Sequence, residues 1–294
     1  MARGLDHIVH AVRDLDAAAD LYRRLGFTVG ARNKHPWGTY NHIVQLPGFF
    51  IELLTLGEPE KLGSDGFSTM FGIYNRDFIA RGDGFSLLIL ESKEAARDAA
   101  TFSSAGVGQL DTLRFEREAK RPDGTSVKVG FSLAFAEDSA TRDIHFATCQ
   151  QLYPENFWNP AFQQHPNGVA GVAGVVVVAE QPKEHQRFFE LLADAGATTA
   201  SGEGFAIATP RGAIEVATPG AFLRRFGVKA PDMSRGARLA ALRFPVTSPS
   251  RLQALPELAG IAGLYVGNDA IVGSEDAMGA VLVFEPATRK PVDQ

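Results

Sequence analysis

The sequence predicts an α+β protein of four βαβββ modules, paired into two domains with curved mixed sheets. Two observations carry this. The order strand, helix, strand, strand, strand recurs four times along the chain, with a period of roughly 65–90 residues. A proline-interrupted aromatic stretch, Tyr153–Gly168, then separates the first two modules from the last two. The 294 residues suit two domains of ordinary size better than one core. We therefore expect an N-terminal domain over 1–152, a connector over 153–167 and a C-terminal domain over 168–294.

Leu5–Val12 (LDHIVHAV) alternates its side chains between two faces, as a strand does. Asp14-Leu15-Asp16 opens a helix that runs to Leu25 and is stopped by Gly26. Strands are expected at Phe27–Asn33, Thr39–Leu46 and Phe49–Leu56, separated by the breakers His35-Pro36-Trp37-Gly38 and Pro47-Gly48. The second module reads as Phe85–Glu91, a helix from Lys93 to near Gly106, strands Leu113–Ala119 and Ser126–Ala136 around Pro122-Asp123-Gly124, and strand Asp143–Gln150. In the third, Val172–Ala179 leads to the helix Pro182–Ala195, stopped by Gly196, with strands Phe205–Ala208 and Ala213–Ala217. The trimmed fourth has Leu239–Val246, a short helix from Pro249, then Ile261–Val266, Ala270–Gly273 and Ala280–Phe284. In the connector, Phe157, Trp158 and Phe162 point to a packed segment rather than a loose one.

The composition narrows the function. With 29 basic and 34 acidic residues the net charge is −5, and no long Lys/Arg run offers a nucleic-acid phosphate partner. The densest basic stretch, Arg114 to Lys128, alternates with acids and reads as a solvated hairpin. Cys149 is the single cysteine, which excludes an internal disulfide and fits a reducing compartment. Asp6, His7 and His10 interrupt the apolar core a signal peptide would need, and no run reaches the ~20 apolar residues of a membrane span. A soluble, cytoplasmic protein with a small-molecule partner, and no nucleic-acid or membrane partner, is expected. A homodimer is compatible with this sequence.

The repeated modules, the opening LDHIVHAVRDLDAAADLYRRLGF and IELL in the fourth strand resemble the vicinal oxygen chelate superfamily, in particular its glyoxalase-like group (glyoxalase, bleomycin resistance and dioxygenase proteins). HPWGTYNHIVQL and FWNPAFQQHPNG resemble segments of the same group. The resemblance implies that two modules close into a cup and that metal ligands come from first and fourth strands. His7 falls at the first-strand position of module one and Glu52 at its fourth-strand position. The residues make a case of their own. Glu52 shares a strand face with Phe50 and Leu54, and a carboxylate in an apolar strip is costly unless a cation, a metal or convergent donors meet it. The plainer alternative is a hydrogen-bonded core pair, or Glu52 paired to an arginine.

Module two departs from the family pattern, with Phe85 or Ser86 in its first strand and His145 in its fourth. His7, Glu52 and His145 would form a two-histidine, one-carboxylate set suited to a divalent transition metal: iron, zinc, manganese or nickel. Glu52 could equally be the catalytic base beside the metal. His35, Trp37 and Asn41, in HPWGTYN, and His165, in HPNG, are candidate substrate-binding residues; turn chemistry and capping are the duller readings. Cys149 reads as a buried small residue rather than a nucleophile. Glu215 repeats the position of Glu52 in the third module but lacks a histidine partner, so the C-terminal cup reads as degenerate. The resulting expectation is a metal-dependent enzyme acting on a small molecule with neighbouring oxygens, either a glyoxalase-like lyase or isomerase or a non-haem iron dioxygenase. A metal-free protein that binds or sequesters a small molecule is the alternative.

Overall fold

The computed structural model describes residues 2–63, 65–120, 124–195, 198–248, 260–261 and 264–287. In module one, β1 (Leu5–Ala11) passes to α1 (Leu15–Arg24), then to β2 (Asn33–Lys34), β3 (Thr39–Leu46) and β4 (Phe49–Leu56). Asp14 starts α1 by accepting the Ala17 amide at 2.9 Å. Module two contains β5 (Gly84–Glu91), α3 (Ala95–Ser104), β6 (Leu113–Lys120), β7 (Ser126–Ala136) and β8 (His145–Gln151). Between them lies a π-helical segment, Ser68–Ile73, that continues as α2 (Tyr74–Arg81). Module three runs through β9 (Gly174–Val178), α5 (Pro182–Ala193), β10 (Thr198–Ser201), β11 (Gly204–Ala208) and β12 (Ala213–Ala217), and α6 (Pro219–Phe226) follows it. Module four adds β13 (Arg238–Val246), β14 (Leu264–Val266), β15 (Asp269–Val272) and β16 (Val281–Pro286). The connector holds the short helix α4 (Pro154–Phe157) and a 3₁₀ turn, Pro160–Gln163.

One pairing rule organises all four modules. The first strand lies parallel to the fourth, as β1·β4, β5·β8, β9·β12 and β13·β16, and the remaining pairs within a module are antiparallel. First strands then join antiparallel, β1 to β5 and β9 to β13, while the two halves meet at the pair Leu239↔Phe85. The sheet is mixed, and the strand alternation gives it two buried faces. On one, Ile8, Ile51, Leu53, Leu88 and Phe146 pack with Leu21 and Tyr22 of α1 and Phe102 of α3. On the other, Val9, Leu54, Leu87, Ile89 and Ala147 face Phe71 and Phe78 of the π-helical segment and α2. This second face forms the floor of the N-terminal cup.

Several expected elements differ. The strand expected over Phe27–Asn33 shrinks to Asn33–Lys34, because its backbone groups are taken elsewhere. The Phe27 amide donates to Tyr22 O, the Thr28 amide to His165 Nδ1, and the Gly30 carbonyl accepts from the His42 side chain through Nδ1. The π-helical segment with α2, and also α6 and β10, had no counterpart in the sequence reading. Gly196, Pro122-Asp123, the helix from Pro249 and part of Ile261–Val266 lie outside the described residues. No helix among the described residues is long and apolar enough to cross a membrane.

Candidate active site in the N-terminal cup

β1 carries a register irregularity between Leu5 and His7, and at this point two consecutive polar residues are buried. Asp6 Oδ1 accepts from His7 Nδ1 at 2.6 Å, and its Oδ2 accepts from Gln151 Nε2 at 3.0 Å. A carboxylate so placed fixes the imidazole's tautomer and leaves Nε2 as the nitrogen available for chemistry. The ring lies flat on Phe50, 4.2 Å between centroids.

Glu52 sits one strand over, on β4, opposite Val9. Asn41, from β3, donates to Glu52 Oε1 at 2.5 Å and is itself held by Asn33, whose Nδ2 donates to Asn41 Oδ1 at 3.1 Å. His35 Nε2 lies 3.3 Å from Asn41 Nδ2 and 3.8 Å from Glu52 Oε1, while its Nδ1 bonds Thr39 Oγ1 at 2.8 Å. The turn between β2 and β3 sets this ring in place. Gly38 has φ +92°, and a Cβ there would come within 2.4 Å of Glu58 O, so only glycine lets the turn close against the end of β4. His35 then stacks on Trp37, and Trp37 on Phe67, at 4.4 and 4.7 Å.

Burial pushes the Glu52 carboxyl above the usual range, opposed by the neighbouring His7 and the Asn41 donor. It also pulls His35 down to about 3, with the Arg117 charge assisting, so His35 is neutral at neutral pH. Cys149 is raised by burial, with Asp6 and Glu52 adding to the effect, and stays a thiol. Among the described residues no arginine or lysine pairs with Glu52. His7, His35, Trp37, Asn41 and Glu52 all line one cavity of about 80 Å3. Five residues separated by up to 45 positions in sequence are thus brought together.

Two other expected site residues are not. His145 does not line this cavity; it lies against Tyr74, ring centroids 3.4 Å apart. The reason is register. Glu52 pairs with Val9, and the corresponding pair in module two is Ile89 with Ala147; His145 sits two residues earlier, opposite Leu87, or ~6.6 Å along the strand. The three-ligand set His7–Glu52–His145 is therefore not assembled. His165 is also elsewhere: Nδ1 accepts the Thr28 amide at 3.0 Å and Nε2 donates to Gln45 O at 2.8 Å, so both nitrogens anchor the connector.

The sequence reading missed Phe71, from the unforeseen π-helical segment, Phe67 just before it, and Phe115 and Arg117. The last two lie in the stretch read as a solvated hairpin. The correction follows from β6 itself, where Leu113, Phe115, Arg117 and Ala119 alternate with the exposed Arg114, Glu116 and Glu118. That period of two was visible, and the structure shows its half-buried face turned to the cup.

For a metal, the family arrangement maps onto His7 and Glu52 in module one. In module two it maps onto Leu87, seven residues before the α3 N-cap as His7 is before that of α1, and onto Ala147. Two of the four positions are apolar. Asp6, His7 and Cys149 do bring potential ligand atoms within 4.8 Å of one another. Both Asp6 oxygens, however, are already hydrogen-bonded, so this donor set fits a metal incompletely.

Fold and site together define a cup of the vicinal oxygen chelate type. The family model described as a glyoxalase-like domain matches residues 5–195, and the chain belongs to this family. A hypothetical protein from Staphylococcus aureus shares the fold at TM-score 0.68 and 13% identity, covering 97% of this chain and 99% of its own. A mutant of 4-hydroxymandelate synthase from Streptomyces coelicolor matches at 0.57 and 11%, covering 98% and 94%. The 2,2',3-trihydroxybiphenyl 1,2-dioxygenase from Sphingomonas wittichii strain RW1 matches at 0.52 and 12%, covering 97% and 90%. No curated protein matches the chain significantly in sequence.

Proposed function

We propose that the protein is an enzyme that moves a proton beside a carbonyl group of a small molecule with neighbouring oxygens. His7 acts as base and Glu52 as acid. His7 Nε2 takes the proton from the carbon next to the carbonyl, while Asp6 steadies the imidazolium that forms. The C–H electron pair becomes the new C=C bond, and the carbonyl oxygen takes a proton from Glu52. Return of the proton from His7 to carbon, with Glu52 taking a hydroxyl proton back, restores both residues and completes an isomerisation. The observation that carries this reading is Glu52 itself: a buried carboxyl with a raised pKa, no cationic Arg or Lys partner among the described residues, and an Asp6-held histidine beside it.

The test is deuterium uptake. A panel of 2-hydroxy ketones and 2-oxo acids is incubated with the protein in D2O and followed by proton NMR. Acceleration by the native protein, reduced at least about a hundredfold in Glu52→Gln, is expected. A native protein that accelerates exchange in none of the panel, or a variant as fast as the native one, overturns the proposal.

A second reading keeps the metal. The Asp6, His7 and Cys149 cluster supports it, with Glu52 within electrostatic reach of the thiol. A bound ion there would supply a Lewis acid for a substrate oxygen. Elemental analysis near one transition metal per chain, lost in Cys149→Ser, would favour this reading. Tight ligand binding with neither metal nor proton exchange would instead favour a sequestering protein.

A further inference from the structure

The cavity around Glu52 does not end at its aromatic wall. A second, wider cavity of about 340 Å3 shares Asn33, Ile43, Arg117 and Phe157 with it. The two form an inner chamber and an outer one, with those four residues at the neck. The outer chamber is walled by Ala119, Val127 and Val129 of the β6–β7 hairpin and by Phe162 of the connector, a large apolar side chain 38% exposed. Apart from histidine and the buried Cys149 thiol, two side chains of ionisable type line the pair of chambers: Glu52 and Arg117.

Their electrostatics differ. Burial favours the neutral form of Glu52 and holds His35 neutral, so Arg117 carries the charge. Its guanidinium has five donors. The recorded bond is a long one, Nη1 to the Glu118 carbonyl at 3.3 Å, and among the described residues no carboxylate pairs with it. The neighbouring Arg114, on the opposite face of β6, pairs with Glu116 at 2.5 Å in solvent. The same strand therefore satisfies its outer arginine and leaves its inner one facing the neck. Desolvation costs Arg117 part of its basicity, a cost an anion at the neck would offset.

We infer that the site takes an elongated, planar, apolar carboxylate, whose carboxylate lies at the neck on Arg117 and whose apolar body extends between the two chambers. Six phenylalanines of the inner chamber (Phe50, Phe67, Phe71, Phe115, Phe131 and Phe157) give a planar body its contacts, and the valines of the hairpin accept its extension. The inference names the substrate class of the proposed active site and rests on that reading for the place of the chemistry.

The experiment measures binding rather than turnover, so that the two can fail separately. 2-Naphthoate and 2-naphthamide, alike in shape and different in charge, are titrated into the full-length protein by calorimetry. The naphthoate is expected to bind at least about tenfold more tightly, since a charge-assisted pair exceeds a neutral hydrogen bond. Arg117→Gln should erase that preference by weakening naphthoate far more than naphthamide, while Arg114→Gln should keep it. In the native protein, added salt should weaken naphthoate and not naphthamide, a readout independent of any variant's folding. Glu52→Gln should retain naphthoate binding even as it loses proton exchange, so loss of exchange alone strikes the proposed function and not this inference. Equal affinity for the two probes, binding of neither, a salt-insensitive naphthoate, or a preference that survives Arg117→Gln overturns it.

Discussion

Glu52 and Glu215 hold the same place in their modules, each on a fourth strand and each opposite a valine of the first strand, Val9 and Val176. Their surroundings are opposite. Glu215 is bonded by Arg225 of α6 and by Arg243 of β13, and Arg243 also grips Glu285 at 2.6–2.9 Å. Glu52 meets an amide, Asn41, and two histidines. The helical segments that follow these strands differ as well. Phe222 and Phe226 of α6 are buried against Val176 and Val178, and with Glu215 and Arg225 they line a cavity of the C-terminal half. In the N-terminal half the corresponding segment sends Phe71, Phe78 and Ile79 to the sheet, and the cavity around Glu52 is walled by Trp37 and phenylalanines, whereas an arginine, Arg225, stands beside Glu215 in the other. A fold position does not make a site. A carboxylate neutralised by two arginines is structural, whereas one buried without a cation is available for chemistry.

The largest expected contrast is in activity. Glu52→Gln should lower proton exchange by about two to four orders of magnitude, while Glu215→Gln should stay within about twofold of the native rate. Comparable losses in both variants, read by the same NMR assay, would erase the distinction between the cups.

Acid should act next. His10, fully buried on β1 between Tyr22 and the Met278 carbonyl, is pulled down to about 4 by burial. The unfolded chain therefore takes up this proton first as pH falls below about 6.5, so stability drops from there to about pH 4 and levels off below. For His10 the loss is roughly 3 kcal/mol, and His35 and His145, also lowered, add in the same direction. Urea titrations from pH 7 to pH 4 should show the decline, and hydrogen exchange should place it first in strands β1 and β3. A flat profile would mean that these imidazoles are protonated in the folded protein.

The smallest contrast is in stability at neutral pH, and it reverses the order of the first. Glu215→Gln should cost about 1.5–3 kcal/mol by removing a charged acceptor from two arginines. Glu52→Gln removes a carboxyl whose burial is itself unfavourable, and should be neutral or stabilising. Equilibrium unfolding of the two variants decides it, and a larger loss at Glu52 would make that residue structural. Expressing residues 1–152 and 168–294 separately would test in the same way the domain limits we propose. The connector between them is tied to β3 through Gln45, bonded to Phe157 O at 2.8 Å and to the Asn159 amide at 3.0 Å.

The sequence by itself determined the fourfold module order, because the alternation of β1 and β4 and the Asp14 cap of α1 are local patterns imposed by strand and helix periods. It also determined His7, His35, Trp37, Asn41 and Glu52 as candidates, since polar residues on apolar strand faces, and an imidazole and an indole in a tight turn, are conspicuous in one dimension. Only the tertiary structure decided which of them meet. His145 misses the cavity by a two-residue register difference that no local pattern encodes, because strand register is set by pairing across the sheet. His165 is spent on backbone groups of the segment after α1, which lies more than a hundred residues away in sequence. Arg117 enters the site because the hairpin folds its alternate face over the cup, and the same period read alone fits a solvated strand. The fate of the two equivalent glutamates was settled in the same manner, by whether distant arginines arrived to neutralise them.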